Sequence, residues 1–150
     1  MPKNFIPESL YKKIVSNVPI CCVDILLVNK NKFLLVKRKR DPFKNKWWLV
    51  GGRLFFNESF KATTKRKLKE ELGIEKIKSS KFLGVGVTKY KNGKGYFNLP
   101  SHTINNTFLV KIGEDQAKNI SLDMENHLEY DWFRKLPKEI DFYIKNLLKS

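Results

Sequence analysis

An α/β fold is what this sequence predicts, and three observations carry the reading. Runs of aliphatic and β-branched residues, at 19–28, 32–38, 81–90 and 102–112, recur along the chain with the length of strands. Around them lie stretches with apolar residues at helical spacing, at 7–18 and 138–149, and a Pro- and Gly-free stretch at 61–72. The 150 residues suit one unit with an adequate core, so 1–150 is expected to form one domain. A hydrophobic share of 41% supplies that core, while no apolar run approaches the roughly 18 to 20 residues of a membrane span. Cys21 and Cys22 are adjacent inside an apolar run, which suits core thiols in a reducing compartment; with no signal-peptide core at the N-terminus, a cytoplasmic protein is expected.

Taken in order, residues 7–18 form the first predicted helix. Leu10, Tyr11, Ile14 and Val15 give it an apolar face for the core or for a partner subunit. Residues 19–28 and 32–38 read as strands joined by the polar turn at 29–31, a hairpin. Asp24 stands alone among apolar neighbours in the first strand. It either points to solvent from a polar side or serves a ligand, because a buried, unpaired carboxylate is costly. Arg38 ends the second strand, and Pro42 enforces a turn in the loop at 39–46. Trp47, Trp48, Leu49 and Val50 then run into Gly51 and Gly52, with Arg53 next. Arg38 and Arg53 are two of only five arginines among 30 basic residues, and a bidentate grip on phosphate oxygens is the task at which lysine fails.

Residues 51–74, GGRLFFNESFKATTKRKLKEELGI, read as a loop, a helix and a second loop. Asn57 or Ser59 caps the helix, residues 61–72 contain no Pro or Gly, and Gly73 supplies a left-handed stop. Arg66 lies one turn before Glu70 and Lys67 one turn before Glu71, so two carboxylates and two cations share a neighbourhood. Taken alone, that is a solvated, salt-bridged helix face. Further on, residues 81–90 form a strand carrying Gly84 and Gly86, and 91–100 form a polar loop able to close over a ligand. Residues 102–112 form a strand with Phe108 and Val110 on one face, and 113–123 are irregular. Residues 125–133 alternate like a strand through Leu128, Tyr130 and Trp132, and 138–149 form an amphipathic helix on Ile140, Tyr143, Ile144, Leu147 and Leu148.

The spacing of the central stretch says more than its charge. Gly52, five residues, Glu58, seven residues, then RKLKEELGI from Arg66 to Ile74 resembles the signature of the Nudix hydrolases, at every defining position but one. The resemblance implies an α/β/α sandwich around a central mixed β-sheet, with the signature at 52–74. It implies a hard divalent cation, Mg²⁺ with Mn²⁺ as a substitute, on the oxygen donors such ions prefer. The Gly51 carbonyl, Glu71 and Glu70 are the implied ligands, with Glu58 and Arg66 bracing the loop and helix. The departing position is Lys67, where the family has Glu. A charged ammonium is neither ligand nor base.

Over most of its length the chain also resembles the GDP-mannose mannosyl hydrolase branch of that family. The similar features are the N-terminal helix, the strand with an embedded acid, Leu34 to Arg38, Trp48 to Arg53, and the late Asn126 to Trp132 segment. That branch too lacks the Glu. By resemblance, His127 is the general base, Asn126 a further metal ligand, Arg38 and Arg53 contact the diphosphate, and Asp24 belongs to the sugar or nucleotide site. The implied substrate is a small nucleotide sugar, attacked by water at the anomeric carbon with the nucleoside diphosphate leaving, and the implied assembly is a homodimer. Retention of both Glu70 and Glu71, with Thr88 and Thr103 where the branch has His and Tyr, departs from the branch.

Two other readings stand beside this one. A conventional pyrophosphohydrolase, attacking phosphorus in a nucleotide sugar or nucleoside triphosphate, is supported by the Glu70–Glu71 pair. A catalytically weak nucleotide- or RNA-binding module is supported by Lys67 and the net charge of +15. The lysines are spread through every segment, and no nucleic-acid motif accompanies them, so specific nucleic-acid binding is not expected.

Overall fold

The computed structural model describes residues 5–149. Helix α1 (Glu8–Asn17) is followed by strands β1 (Ile20–Asn29), β2 (Lys32–Arg38), β3 (Trp47–Trp48) and β4 (Val50–Arg53). Helix α2 (Phe60–Leu72), strands β5 (Ser79–Tyr90) and β6 (Ser101–Lys111), helix α3 (Glu114–Lys118), strand β7 (His127–Phe133) and helix α4 (Lys138–Lys145) complete the order.

The sheet is mixed. β1 runs parallel to β6 and antiparallel to both β2 and β4, β5 extends the sheet beyond β6, and β2 carries β3 and β7. The expected hairpin closes through Lys30 and Asn31, both at positive φ, where the polar turn was read.

Strand β1 shows why its sequence is apolar almost throughout. Val23, Ile25 and Leu27 face a cluster completed by Leu68, Leu72 and Ile74 of the α2 segment and by Val110 and Ile112. Leu26 faces the opposite cluster, built with Leu35, Leu49 and Ile140 of α4. A strand covered on both sides has no polar face to show. Helices thus cover both faces of the sheet, as the resemblance implied. The alternation also sends Asp24 to the α4 side, where it is 8% exposed and accepts a 3.1 Å hydrogen bond from the Tyr143 hydroxyl. Asp24 therefore does not point to solvent.

Three stretches differ in kind from the sequence reading. Residues 114–118, expected to be irregular, form the short helix α3, with Glu114 and Asp115 in its first turn, where acids complement the helix dipole. The last helix ends at Lys145, and Leu148 instead pairs with Val85 as an isolated bridge, leaving its side chain exposed. The loop at 91–100 contains a single 3₁₀ turn, Tyr96–Asn98. Helix α1 packs on its own chain: Val15, with Tyr11 and Ile14, meets Ile20 and Cys22, while Leu10 is exposed.

Candidate active site

The α2 segment is fixed at both ends by local chemistry. Of the two candidate caps, Ser59 takes the role, its Oγ accepting from the Ala62 N–H at 3.1 Å. Gly73 closes the helix in the left-handed region at φ 68°, its N–H donating back to Lys69. The loop before the helix is tied to it by Glu58 and Arg66. Arg66 Nε and Nη2 donate to the two Glu58 oxygens at 2.7 and 3.0 Å, and Nη2 also reaches the Arg53 carbonyl at 2.9 Å. Glu58 further accepts from the Phe55 N–H and the Thr63 hydroxyl. With Arg66 its chief partner, the Glu58 carboxyl is held down to about 2.

Beyond this brace, α2 packs against β4 and carries Glu70 and Glu71 in its last turn. Glu71 is 6% exposed, with Lys67 Nζ 2.9 Å from Oε1 and His127 Nε2 3.4 Å from Oε2. Burial pushes the Glu71 carboxyl up, but the adjacent His127 and Lys67 outweigh it and leave the group below its ordinary value. Glu70 lies farther out, half exposed, between Arg66 at 3.2 Å and Lys67 at 3.4 Å. The β1–β4 register sets Gly51 opposite Asp24. A Cβ at Gly51 would lie 2.2 Å from the Val23 carbonyl oxygen, so no side chain fits there.

A pocket opens beside Gly51 and Gly52, lined among others by Asp24, Arg38, Trp48 and Tyr96. Phe43 stacks on Trp48 at 4.5 Å and meets Tyr90 edge-on, giving the pocket an aromatic wall. Arg38 and Tyr96 also line an outer cleft of about 480 Å³ with Lys39, Arg40, Lys44 and Asn126. An acid, a guanidinium and aromatic faces therefore converge next to the two glycines, with further cations outside.

The predicted site residues are not all brought together. Asp24, Arg38 and Gly51 share the pocket, and Glu71 touches His127. His127 is 2% exposed, and neither ring nitrogen has a hydrogen-bond partner. The Asn126 amide is turned to Asp123, donating to Oδ2 at 2.7 Å, on the wall of the outer cleft. The Arg53 guanidinium lies over the rings of Phe55 and Tyr11, at 4.7 and 5.4 Å, and is not among the residues lining the pocket. Sequence reasoning missed Tyr143, which holds Asp24 from α4, and the aromatic wall of Phe43, Tyr90 and Tyr96. An amphipathic helix marks Tyr143 as inward-facing, but nothing in its spacing points to a carboxylate 119 positions away.

Two carboxylates and the Gly51 carbonyl are oxygen donors of the kind a hard divalent ion takes, and Glu71 Oε2 is buried without a hydrogen-bond partner. The donor set fits such an ion in kind. Among the described residues no group of three or more His, Cys, Asp or Glu side chains could hold a metal. The ammonium of Lys67 lies against the same carboxylates.

Among characterised proteins, the chain is 28% identical over 125 residues to the low-salt glycan biosynthesis protein Agl8 of Haloferax volcanii, covering 83% of this chain and 78% of that one. It is 33% identical over 116 residues to an ADP-ribose pyrophosphatase of Methanocaldococcus jannaschii, covering 72% of this chain and 64% of that protein's length. The fold matches the crystal structure of a MutT NUDIX hydrolase from Burkholderia pseudomallei with a TM-score of 0.67 and 22% identity, over 86% of this chain and 98% of that one. Residues 20–136, which run from the start of β1 past β7 and enclose every side chain of the site except Tyr143, match the NUDIX domain, and the chain belongs to the Nudix hydrolase family.

Proposed function

We propose that the protein is a divalent-metal-dependent hydrolase of a nucleotide sugar, with water attacking the anomeric carbon and the nucleoside diphosphate leaving. The observation that carries this reading is the pocket that Asp24 and Arg38 line together with aromatic rings and Gly51. A carboxylate suits sugar or base hydroxyl and amino groups, a guanidinium suits phosphate, and rings suit a nucleobase or sugar face. In this reading Glu71, Glu70 and the Gly51 carbonyl would hold Mg²⁺, which would offset the negative charge that grows on the departing diphosphate. Arg38 does the same from the protein side, so no protein acid is needed for the leaving group. To reach the diphosphate Arg53 would have to leave its aromatic seat, and Asn126 would offer the metal a further oxygen donor.

His127 takes the proton from water. Its support is position: it is the imidazole against Glu71, with no competing hydrogen bond at either nitrogen, and Lys67 leaves no carboxylate at the family's usual place. Water enters from the outer cleft, whose wall includes the adjoining Asn126. The similarity to a glycan biosynthesis protein agrees with a sugar-linked substrate. One observation favours a second reading, the resemblance to an ADP-ribose pyrophosphatase, in which water would attack phosphorus instead.

Hydrolysis in ¹⁸O water across GDP-mannose, GDP-glucose, ADP-ribose and UDP-sugars separates the two. Label in the released sugar supports carbon attack, and label in phosphate overturns it in favour of the pyrophosphohydrolase. A homodimer belongs to the same proposal, and light scattering at the monomer mass would remove it.

A further inference from the structure

Lys67 occupies the site in a way a surface ion pair does not. Its side chain is 16% exposed, and its ammonium lies 2.9 Å from Glu71 and 3.4 Å from Glu70. The stem lies across Gly52, where a Cβ would stand 2.8 Å from Cε and 3.1 Å from Cδ of Lys67. Gly52 is not among the glycines at positive φ, and the atoms nearest to a Cβ there all belong to the Lys67 side chain. With Arg66 also on Glu70, each carboxylate that would bind a metal already faces a cation.

We infer that Lys67 is the resident cation of this site: its ammonium sits between Glu70 and Glu71, and a divalent ion binds only when that ammonium withdraws. The same charge, 3.3 Å from where a Gly52 Cβ would stand, meets the phosphates of a nucleoside diphosphate before any metal arrives. This rests on the proposed site but not on which bond is cleaved. A hard divalent ion and an ammonium cannot share two carboxylates at these distances without strong mutual repulsion. Removing the ammonium while keeping the length of the stem therefore raises metal affinity and lowers metal-free affinity for phosphate.

The test uses Mn²⁺ alone, with no nucleotide and no turnover, so it stands or falls separately from the isotope experiment. Calorimetry on the intact protein and on Lys67→Met is expected to show Mn²⁺ binding at least about tenfold tighter in the variant. Binding of ADP in EDTA is expected to weaken by a similar factor. Equal Mn²⁺ affinity in the two proteins overturns the inference, as does undiminished ADP binding by the variant in EDTA. A measurement on the unsubstituted protein covers the case in which the variant does not fold. Amine-reactive labelling of Lys67, read by mass spectrometry, is expected to speed up several-fold at saturating Mn²⁺, and an unchanged or slower rate overturns the proposal.

Discussion

Burial lifts the Asp24 carboxyl to about 6, although the Tyr143 hydroxyl and the charge of Arg38 both favour its ionised form. The unfolded chain ionises near the ordinary value, so between about pH 4 and pH 6 the unfolded state loses its proton first and stability falls as pH rises. The cost above pH 6 is about 2 to 3 kcal/mol. An Asp24→Asn variant, which keeps an acceptor for Tyr143, is expected to be about 2 kcal/mol more stable at pH 8 and no more stable near pH 4, by urea unfolding. Equal stability at pH 8 would show that the carboxylate is not strained. The same variant is expected to bind nucleotide sugar more weakly, which is the use that would justify keeping the acid. For His127, the proposed base, a His127→Gln change is expected to cut kcat by about 10² to 10⁴ while leaving KM nearly unchanged, in steady-state assays. Unaltered kcat would remove the imidazole from the chemistry. These residues were unevenly legible. Asp24 drew attention because a lone acid in an apolar strand needs a reason, but its partner could not be read, since the pairing is made by tertiary packing of α4.

Helix α2 was the most legible element, because its start, its stop and its carboxylates are all set within 24 consecutive residues, 51–74. Ser59 and Gly73 act through backbone rules that sequence states directly. Residues 113–123 were illegible for the opposite reason. Helix α3 is five residues long with no buried side chain, so it has no apolar stripe to betray it. The brace beneath α2 makes its own prediction. Because Arg66 holds the Glu58 carboxyl down to about 2, the pair contributes stability that is complete above about pH 4.5 and is lost as pH falls toward 2. Glu58→Gln is expected to cost about 2 to 3 kcal/mol at neutral pH and little near pH 2, measured by thermal unfolding across that range. A loss that does not shrink in acid would mean the bond is structural but not ionic.

At the scale of the whole molecule, the net charge of +15 was readable from composition, while its distribution was not. Lys39, Arg40 and Lys44 gather with Arg38 around the outer cleft, a concentration that only the folded loop reveals. Such a field draws anionic ligands from a distance and is screened by salt. The ratio kcat/KM for a nucleotide sugar is therefore expected to fall several-fold between about 20 and 300 mM NaCl, more steeply than kcat. A flat profile would assign the charge to something other than substrate capture. Among the described residues no helix is long and apolar enough to cross a membrane.

One arrangement at the pocket wall has an optical consequence. Trp48 stacks on Phe43, meets Tyr143 at a tilt and lines the pocket with Asp24, whereas Trp47 packs against Phe133 outside the pocket lining. Indole emission responds to neighbouring charge and to the access of water, so the chain carries its own unlabelled reporter of occupancy. Retaining Trp48 while replacing Trp47 and Trp132 with Phe would isolate that signal, and a nucleotide entering the pocket would register as a change in its colour and brightness.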